Sequence, residues 1–438
     1  MLILTLVIAL VPAVAAASAD CIGEEPFGDF YTDVQATDQN AFVMSGSASA
    51  ETPGEPLADH GEAESSTSLY ELPSSSSRAK RISLDVSHAF TTAPTLFEAG
   101  GKPRVLVWRE GPGKGKTALL GAPAGHALKN VLSPAGSAGF APVAVSAIAG
   151  GGYVMLAPAP EGGGSASLQV VNADGTLGPS TSIGTGAGFD PTAVPAFTLT
   201  QASDGAIWVA GPNLFARWIP GTSLTILKPL PGPYEIRPAA EGNVWVLSAA
   251  ESGAGTLLIH AAPDGTVSRQ KVASQEGEDM ANGEVLPMAA LATRPDGSAI
   301  VAYGTFHGAF LASTSGPADM LGRPRRLSSK LVLSIEDLDL QPGGGTPFVS
   351  VTARATAAIY AVGAKVKVTD LPSVHRGFDS VRATLGFAPD RKAWVVWTVR
   401  RGSACEGSER SQAVWATLGP GGRLSSVHKL GEGTMWVL

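Results

Sequence analysis

Short apolar runs separated by turn residues are the main pattern along this chain. The runs are rich in Val, Ile, Leu and Trp, and they end at Gly, Pro or Asp. No long segment has the 3.6-residue periodicity of an amphipathic helix. The 53 glycines and 32 prolines fit many turns between short elements. The pattern therefore predicts an all-β fold.

One turn-and-strand pattern recurs along the chain. It is clearest in Asp204-Gly205-Ala206-Ile207-Trp208-Val209 and in Glu241-Gly242-Asn243-Val244-Trp245-Val246, where a turn leads into a strand with an early Trp. Eight positions fit this pattern, at a mean spacing of about 50 residues. They are Phe42, Val105, Val154, Trp208, Trp245, Ile300, Phe348 and Trp394. Regular spacing of this kind indicates a repeat architecture.

Each repeat is predicted to contain four strands, of which the recurring pattern is the second. Hairpins about Asp174-Gly175, Asp264-Gly265 and Gly421-Gly422 supply the third and fourth strands in three of the repeats. Four-stranded antiparallel units repeated in this way are typical of a β-propeller. We expect eight blades, or seven if the divergent first unit packs outside the ring. The Trp residues are expected to lie in the core between blades rather than in a sugar-stacking platform.

Residues 204–247 resemble a known group of repeats. They combine Pro231-Gly232-Pro233 before Ile236 with the Gly205 and Gly242 turns, and in this they are similar to bacterial streptogramin lyase-like and NHL-type propellers. The resemblance covers about two of the eight units and implies the propeller fold. In the lyases it would also imply a catalytic His, a carboxylate and magnesium. No position here matches that set, so no catalytic residue or cofactor is carried over.

Composition and the N-terminus indicate compartment and exclude some partners. A net charge of −7 and a pI near 5.6 argue against nucleic acid or an anionic membrane as partner. Residues 1–19 resemble a cleavable signal peptide, with an apolar run too short to span a membrane. We expect a secreted or periplasmic monomer whose residues 20–438 form a single propeller domain. Residues 45–67 are expected to be a long acidic loop insertion.

The two cysteines, Cys21 and Cys405, are predicted to form a disulfide, because export leads to an oxidising compartment. Cys21 precedes the first repeat and Cys405 lies in the last, so the bond would join the two ends of the ring. Two unrelated buried thiols are the alternative.

A candidate binding site is predicted where the chain enters the first strands. Polar residues there would surround one mouth of the central channel, and His307, in a loop after a second strand, would lie on the same face. This set contains Tyr234, Glu235, Glu284, His307, Glu336, Asp337, Asp339, Arg376 and Asp379. Such groups can bind a polar ligand or perform acid–base chemistry, although propeller channels are commonly polar without having a function.

Three functions remain open from the sequence. The first is a module that binds a small molecule, glycan or protein through one loop face. The second is a propeller lyase or hydrolase with a polar site at the channel mouth, with or without a metal ion. The third is a structural component of the cell envelope. No particular cofactor is indicated.

Overall fold

The chain folds into strands arranged as eight four-stranded antiparallel sheets in the computed structural model. The structure describes residues 30–37, 39–49, 64–74, 76–84, 95–99, 102–110, 116–132, 144–158, 166–174, 176–183, 197–211, 214–230, 232–249, 255–272, 289–305, 307–316, 320–353, 356–373, 379–401, 410–419 and 422–430. Within these residues the only helical segment is a single 3-10 turn at Ala240–Gly242.

Blades 1 to 4 each use four consecutive strands. Blade 1 contains β1 (Phe30–Ala36), β2 (Asn40–Ser49), β3 (Glu64–Pro73) and β4 (Lys80–Ile82). Blade 2 contains β5 (Thr95–Ala99), β6 (Lys102–Glu110), β7 (Lys116–Ala124) and β8 (Ala127–Leu132). Blade 3 contains β9 (Ala144–Ala147), β10 (Tyr153–Pro158), β11 (Ala166–Val171) and β12 (Leu177–Ile183). Blade 4 contains β13 (Thr198–Gln201), β14 (Ile207–Gly211), β15 (Leu214–Trp218) and β16 (Leu224–Ile226).

Blades 5 to 8 follow the same order. Blade 5 contains β17 (Pro233–Pro238), β18 (Val244–Ala249), β19 (Thr256–Ala261) and β20 (Val267–Val272). Blade 6 contains β21 (Ala289–Thr293), β22 (Ala299–Thr305), β23 (Gly308–Ser313) and β24 (Arg325–Arg326). Blade 7 contains β25 (Val332–Leu340), β26 (Pro347–Ala353), β27 (Thr356–Val362) and β28 (Val366–Asp370). Blade 8 contains β29 (Asp379–Phe387), β30 (Ala393–Arg401), β31 (Arg410–Leu418) and β32 (His428–Lys429).

The blades close into an eight-bladed ring, which confirms the preferred prediction. Each first strand contacts the first strand of the next blade, and β29 of blade 8 contacts β1 of blade 1. All eight positions of the recurring pattern lie on second strands. One buried apolar cluster fills each of the eight interfaces between neighbouring blades, including the one that closes the ring. The core is therefore divided among the interfaces, so each blade depends on both neighbours.

The Trp residues of the pattern lie inside this core, as predicted. Trp208, Trp245 and Trp394 are fully buried. The indole Nε1 of Trp208 donates to the carbonyl oxygen of Gly242 in the next blade at 3.1 Å. Trp245 makes the equivalent bond to Gly297 at 3.0 Å. These indoles therefore connect the second strand of one blade to the turn of the next.

Other predictions concern the N-terminal segment, the two cysteines, the loop insertion and the absence of a membrane span. Residues 1–19, Cys21 and Cys405 lie outside the described residues. Residues 45–49 of β2 pair with residues 64–68 of β3, so the predicted loop insertion is shorter than residues 45–67. Among the described residues, no helix has the length and apolar character needed to cross a membrane.

Candidate functional site

The propeller has two faces that carry different connections. Because each sheet is antiparallel with its strands in chain order, the segments entering first strands share a face with the loops after second strands. We name this the entry face. The opposite face, named the turn face, carries the turns between first and second strands and between third and fourth strands. The sequence prediction placed its candidate site on the entry face.

Tyr234 and Glu235 lie at a β-bulge in the first strand of blade 5. Glu235 Oε2 accepts a hydrogen bond from the Leu291 backbone N–H at 2.9 Å, and Oε1 lies 2.7 Å from Arg237 Nη2. Arg237 Nε donates to the Leu291 carbonyl oxygen at 3.2 Å. The Glu235–Arg237 pair therefore binds the backbone of the first strand in blade 6.

The hydroxyl of Tyr234 contacts Thr256 Oγ1 at 3.4 Å within blade 5. Although the residue is 37% exposed overall, burial of the hydroxyl raises the pKa of Tyr234 to about 12. The Thr256 hydrogen bond acts in the opposite direction, and the charge of Glu235 adds a smaller increase. Tyr234 therefore stays protonated near neutral pH and serves as a hydrogen-bonding group.

Asp337 occupies the position in blade 7 that Glu235 occupies in blade 5. Glu235 lies two residues before Arg237, which pairs with Trp245. Asp337 lies two residues before Asp339, which pairs with Phe348, and both carboxylates follow a β-bulge. Asp337 Oδ2 accepts from the Leu385 backbone N–H at 3.0 Å and from Thr384 Oγ1 at 3.1 Å, both in blade 8. Two of the predicted site carboxylates are thus used to connect adjacent blades.

The remaining members of the predicted set that the structure describes make separate local contacts or are exposed. Glu336 accepts a hydrogen bond from the Ser334 hydroxyl, and Asp339 accepts from the Leu340 backbone N–H at 2.7 Å. Asp379 is exposed at the start of β29, and His307 is exposed between β22 and β23. Glu284 and Arg376 lie outside the described residues. In the described part of the chain, no group of three His, Cys, Asp or Glu side chains is arranged to hold a metal ion.

A groove of about 500 Å³ lies on the turn face. It is formed by the turns that follow the first strands of blades 4, 5, 6 and 7. Its lining consists of Gln201, Ala202, Ser203, Pro238, Ala239, Ala240, Thr293, Arg294, Pro295, Gly297, Leu340, Gln341, Pro342, Gly343 and Gly344. These four turns include the Asp204 and Glu241 turns that define the repeat.

Close packing of successive turns builds the wall of this groove. A Cβ on Gly242 would lie 2.4 Å from Asp204 Oδ2, and one on Gly297 would lie 2.5 Å from Ala240 N. Both glycines also have positive φ angles, of 78° and 81°, in the left-handed region that side chains rarely adopt. Glycine is therefore required at both positions for two reasons: the turn needs a positive φ angle, and the neighbouring blade leaves no room for a Cβ.

The polar groups of the groove fall into two sets. Gln201 and Ser203 are already bonded to the backbone, since Gln201 Oε1 accepts from Ala149 N at 2.6 Å and Ser203 Oγ accepts from Gly242 N at 2.9 Å. The second set is Thr293, Arg294 and Gln341. The side chains of Thr293 and Gln341 have no hydrogen-bond partner among the described residues, and each of the three is partly exposed. This second set is available to a ligand.

The environment of Arg294 includes one carboxylate. Asp296 has a lowered pKa, chiefly because it accepts hydrogen bonds from the Ser298 hydroxyl at 2.7 Å and the Ser298 backbone N–H at 2.9 Å. The charge of Arg294 contributes a smaller decrease. Asp296 is therefore ionised near neutral pH, and its carboxylate accepts hydrogen bonds from Ser298 of the same turn.

Sequence reasoning did not identify this groove, although its turns carry the repeat pattern. Arg294 stands directly before Pro295-Asp296-Gly297, and Gln341 stands directly before Pro342-Gly343-Gly344. Polar residues in the same place of two successive repeats are a usable signal. The signal is weak in a single repeat and becomes clear only when the two turns are compared.

Comparisons with known proteins find only distant structural similarity. No protein-family model matches the chain, and no curated protein matches it significantly. Among solved structures, the periplasmic gluconolactonase PpgL of Pseudomonas aeruginosa is 17% identical, with a TM-score of 0.43 over 70% of this chain and 91% of that chain. The Dos1 propeller is 10% identical, with a TM-score of 0.46 over 85% of this chain and 92% of that chain. An acylaminoacyl peptidase of Pyrococcus horikoshii is 12% identical, with a TM-score of 0.46 over 85% of this chain and 58% of that chain.

Proposed function

We propose that this protein is a ligand-binding β-propeller that holds a small polar molecule in the turn-face groove. The observation that carries the proposal is the groove itself, because the turns of four successive blades enclose a volume of about 500 Å³. Sites for small molecules are typically clefts of about 300–1,000 Å³ with a few convergent polar groups. Thr293, Arg294 and Gln341 are such groups.

The chemistry of these groups favours binding over the lyase or hydrolase alternative. A guanidinium, a carboxamide and a hydroxyl form hydrogen bonds, but side chains of these kinds are not the usual general acids or bases. General acid–base catalysis needs a group whose pKa lies near the working pH. The groove is therefore suited to recognising a molecule and holding it.

Export of the protein and closure by a disulfide form part of the same proposal. The apolar N-terminal run followed by small residues supports secretion or a periplasmic location, and a Cys21–Cys405 bond would be stable there. The repeats in residues 204–247 support a relationship to streptogramin lyase-like or NHL-type propellers in their architecture. A binding protein outside the cytoplasm is consistent with each of these features.

A thermal-shift screen against polar metabolites, with a groove-blocking variant, tests the proposal. Thr293→Trp places a large ring in the groove, and Gln341→Trp is a second blocking variant if the first does not fold. Val368→Trp is the control, because Val368 is a 52% exposed residue on the outer strand β28. We expect a compound that raises the melting temperature of the native protein and of Val368→Trp but not of the blocked variant.

Two results would contradict the proposal. One is a ligand whose stabilising effect survives in both groove-blocking variants, since it would bind elsewhere. The other is a broad screen in which no polar compound stabilises the native protein.

A further inference from the structure

We infer that the ligand of the turn-face groove carries an anionic group, a carboxylate or a phosphate, which is bound by the guanidinium of Arg294. This inference rests on the proposed function and specifies its ligand class. It depends on three features of the groove: its charge, the unused donors of Arg294 and the neutral polar groups nearby.

The residues that line the groove include a single charged side chain, and it is a cation. The chain has a net charge of −7, yet none of the residues that line the groove is an Asp or Glu. Arg294 is the one charged residue of that lining. The low-dielectric walls of a cleft reduce screening, so a single cation there attracts an anion more strongly than a cation on an open surface does.

Arg294 has unused hydrogen-bond donors. Its one side-chain hydrogen bond within the described residues is from Nη1 to Ser298 Oγ, which is long at 3.4 Å. No ion pair of Arg294 with a carboxylate is present among the described residues, and Asp296 Oδ1 accepts its hydrogen bonds from Ser298. A guanidinium has five N–H donors in a planar fork that matches the two oxygens of a carboxylate or phosphate. Arg294 therefore has the capacity for a bidentate bond to a ligand.

Neutral groups beside Arg294 can bind the rest of the molecule. Gln341 offers both a donor and an acceptor, and Thr293 offers a hydroxyl. At Gly343, which has a φ angle of 83°, no atom lies within 4 Å of the position a Cβ would occupy, so a ligand can approach the backbone there. One anionic end and several hydrogen-bonding hydroxyls or amides would match this arrangement, as in a sugar acid, a hydroxy acid or a sugar phosphate.

Calorimetric titration with matched charged and neutral probes tests the inference. Glucuronate, succinate and inorganic phosphate are the anionic probes, and glucose and succinamide are the neutral counterparts of the first two. We expect binding of at least one anion and a loss of affinity of about 10-fold or more in Arg294→Gln, because a charge-assisted hydrogen bond is lost. Arg423→Gln is the control, since it removes the same charge from an exposed position in blade 8 and should leave the affinity unchanged.

The outcomes separate this inference from the proposed function. If a neutral probe binds as tightly as its charged counterpart, and Thr293→Trp abolishes that binding while Arg294→Gln does not, the anion inference is wrong and the groove remains a binding site. If anion affinity is unaffected by Thr293→Trp and by Arg294→Gln, both are wrong. If none of the anions binds at millimolar concentration, the anion inference is wrong. Should Arg294→Gln fold poorly, Arg294→Lys replaces it, because it keeps the charge but loses the bidentate fork.

Discussion

At the scale of single residues, polar side chains of the inner strands hold neighbouring blades together. Buried donors and acceptors are normally satisfied, and here the partner is often in the next blade. Trp208 and Trp245 donate to turn carbonyls, and Glu235 and Asp337 accept from first-strand N–H groups. Trp394, in the interface that closes the ring, is an exception because its buried Nε1 has no hydrogen-bond partner among the residues that the structure describes.

This difference predicts unequal effects of two identical substitutions. Trp245→Phe should cost about 1–3 kcal/mol more than Trp394→Phe, because only the first leaves a buried carbonyl, that of Gly297, without its donor. Both changes remove the same part of a fully buried ring, so the packing losses are similar. Urea unfolding of the two variants measures the difference. Equal free energies of unfolding would show that the Trp245 bond contributes nothing.

A second prediction concerns Asp337, which was predicted from the sequence as a ligand-binding residue. Asp337→Ala should lower the free energy of unfolding by about 1–3 kcal/mol, since the Leu385 N–H and the Thr384 hydroxyl lose their acceptor. Asp379→Ala, at an exposed position on the same face, should change it by less than about 0.5 kcal/mol. Equal stability of the two variants in urea unfolding would contradict the structural role of Asp337.

At the scale of elements, the turn between first and second strands performs two tasks. Gly205, Gly242 and Gly297 occupy the same place in three successive turns. Each lies three residues before the second-strand position of the recurring pattern, and all have positive φ. Gly242 and Gly297 also contact the preceding turn, whereas Gly205 has open space where a Cβ would be. All three turns thus use a glycine with positive φ to reverse the chain, but only the Gly242 and Gly297 turns pack against the preceding blade at that glycine.

Alanine substitution separates these two tasks. Gly205→Ala should cost about 1–2 kcal/mol, the penalty for a side chain in the left-handed region. Gly297→Ala should cost about 1–3 kcal/mol more, because its Cβ would overlap Ala240 of the preceding blade. Thermal or urea unfolding of the two variants gives both values. If Gly297→Ala were no more destabilising than Gly205→Ala, the turns would not pack as described.

The elements were largely predictable from the sequence, and the site was not. Asp-Gly turns and strand-length apolar runs act locally, so they identified the second strand of every blade, from Phe42 to Trp394. The hydrogen bonds that Glu235 and Asp337 accept from the next blade depend on how adjacent blades are aligned, and the sequence of one repeat does not specify this alignment. Arg294 and Gln341 come together only because blades 6 and 7 are neighbours in a closed ring.

At the scale of the whole molecule, the ring determines both stability and the candidate site. The interface clusters join every blade to two others, and the interface between blades 8 and 1 is filled in the same way. The groove spans the turns of four blades, so no single repeat contains it. Ligand binding at that groove would therefore link half of the ring and should stabilise the folded protein against unfolding.

The central claim is that the turn face, and not the entry face, binds the ligand. Hydrogen–deuterium exchange of the native protein, with and without a compound found in the thermal-shift screen, tests it directly. We predict slower exchange on binding in residues 201–205, 238–243, 293–298 and 340–346. Slower exchange confined to Thr305, His307, Gly308 and residues 332–337, on the entry face, would contradict the claim.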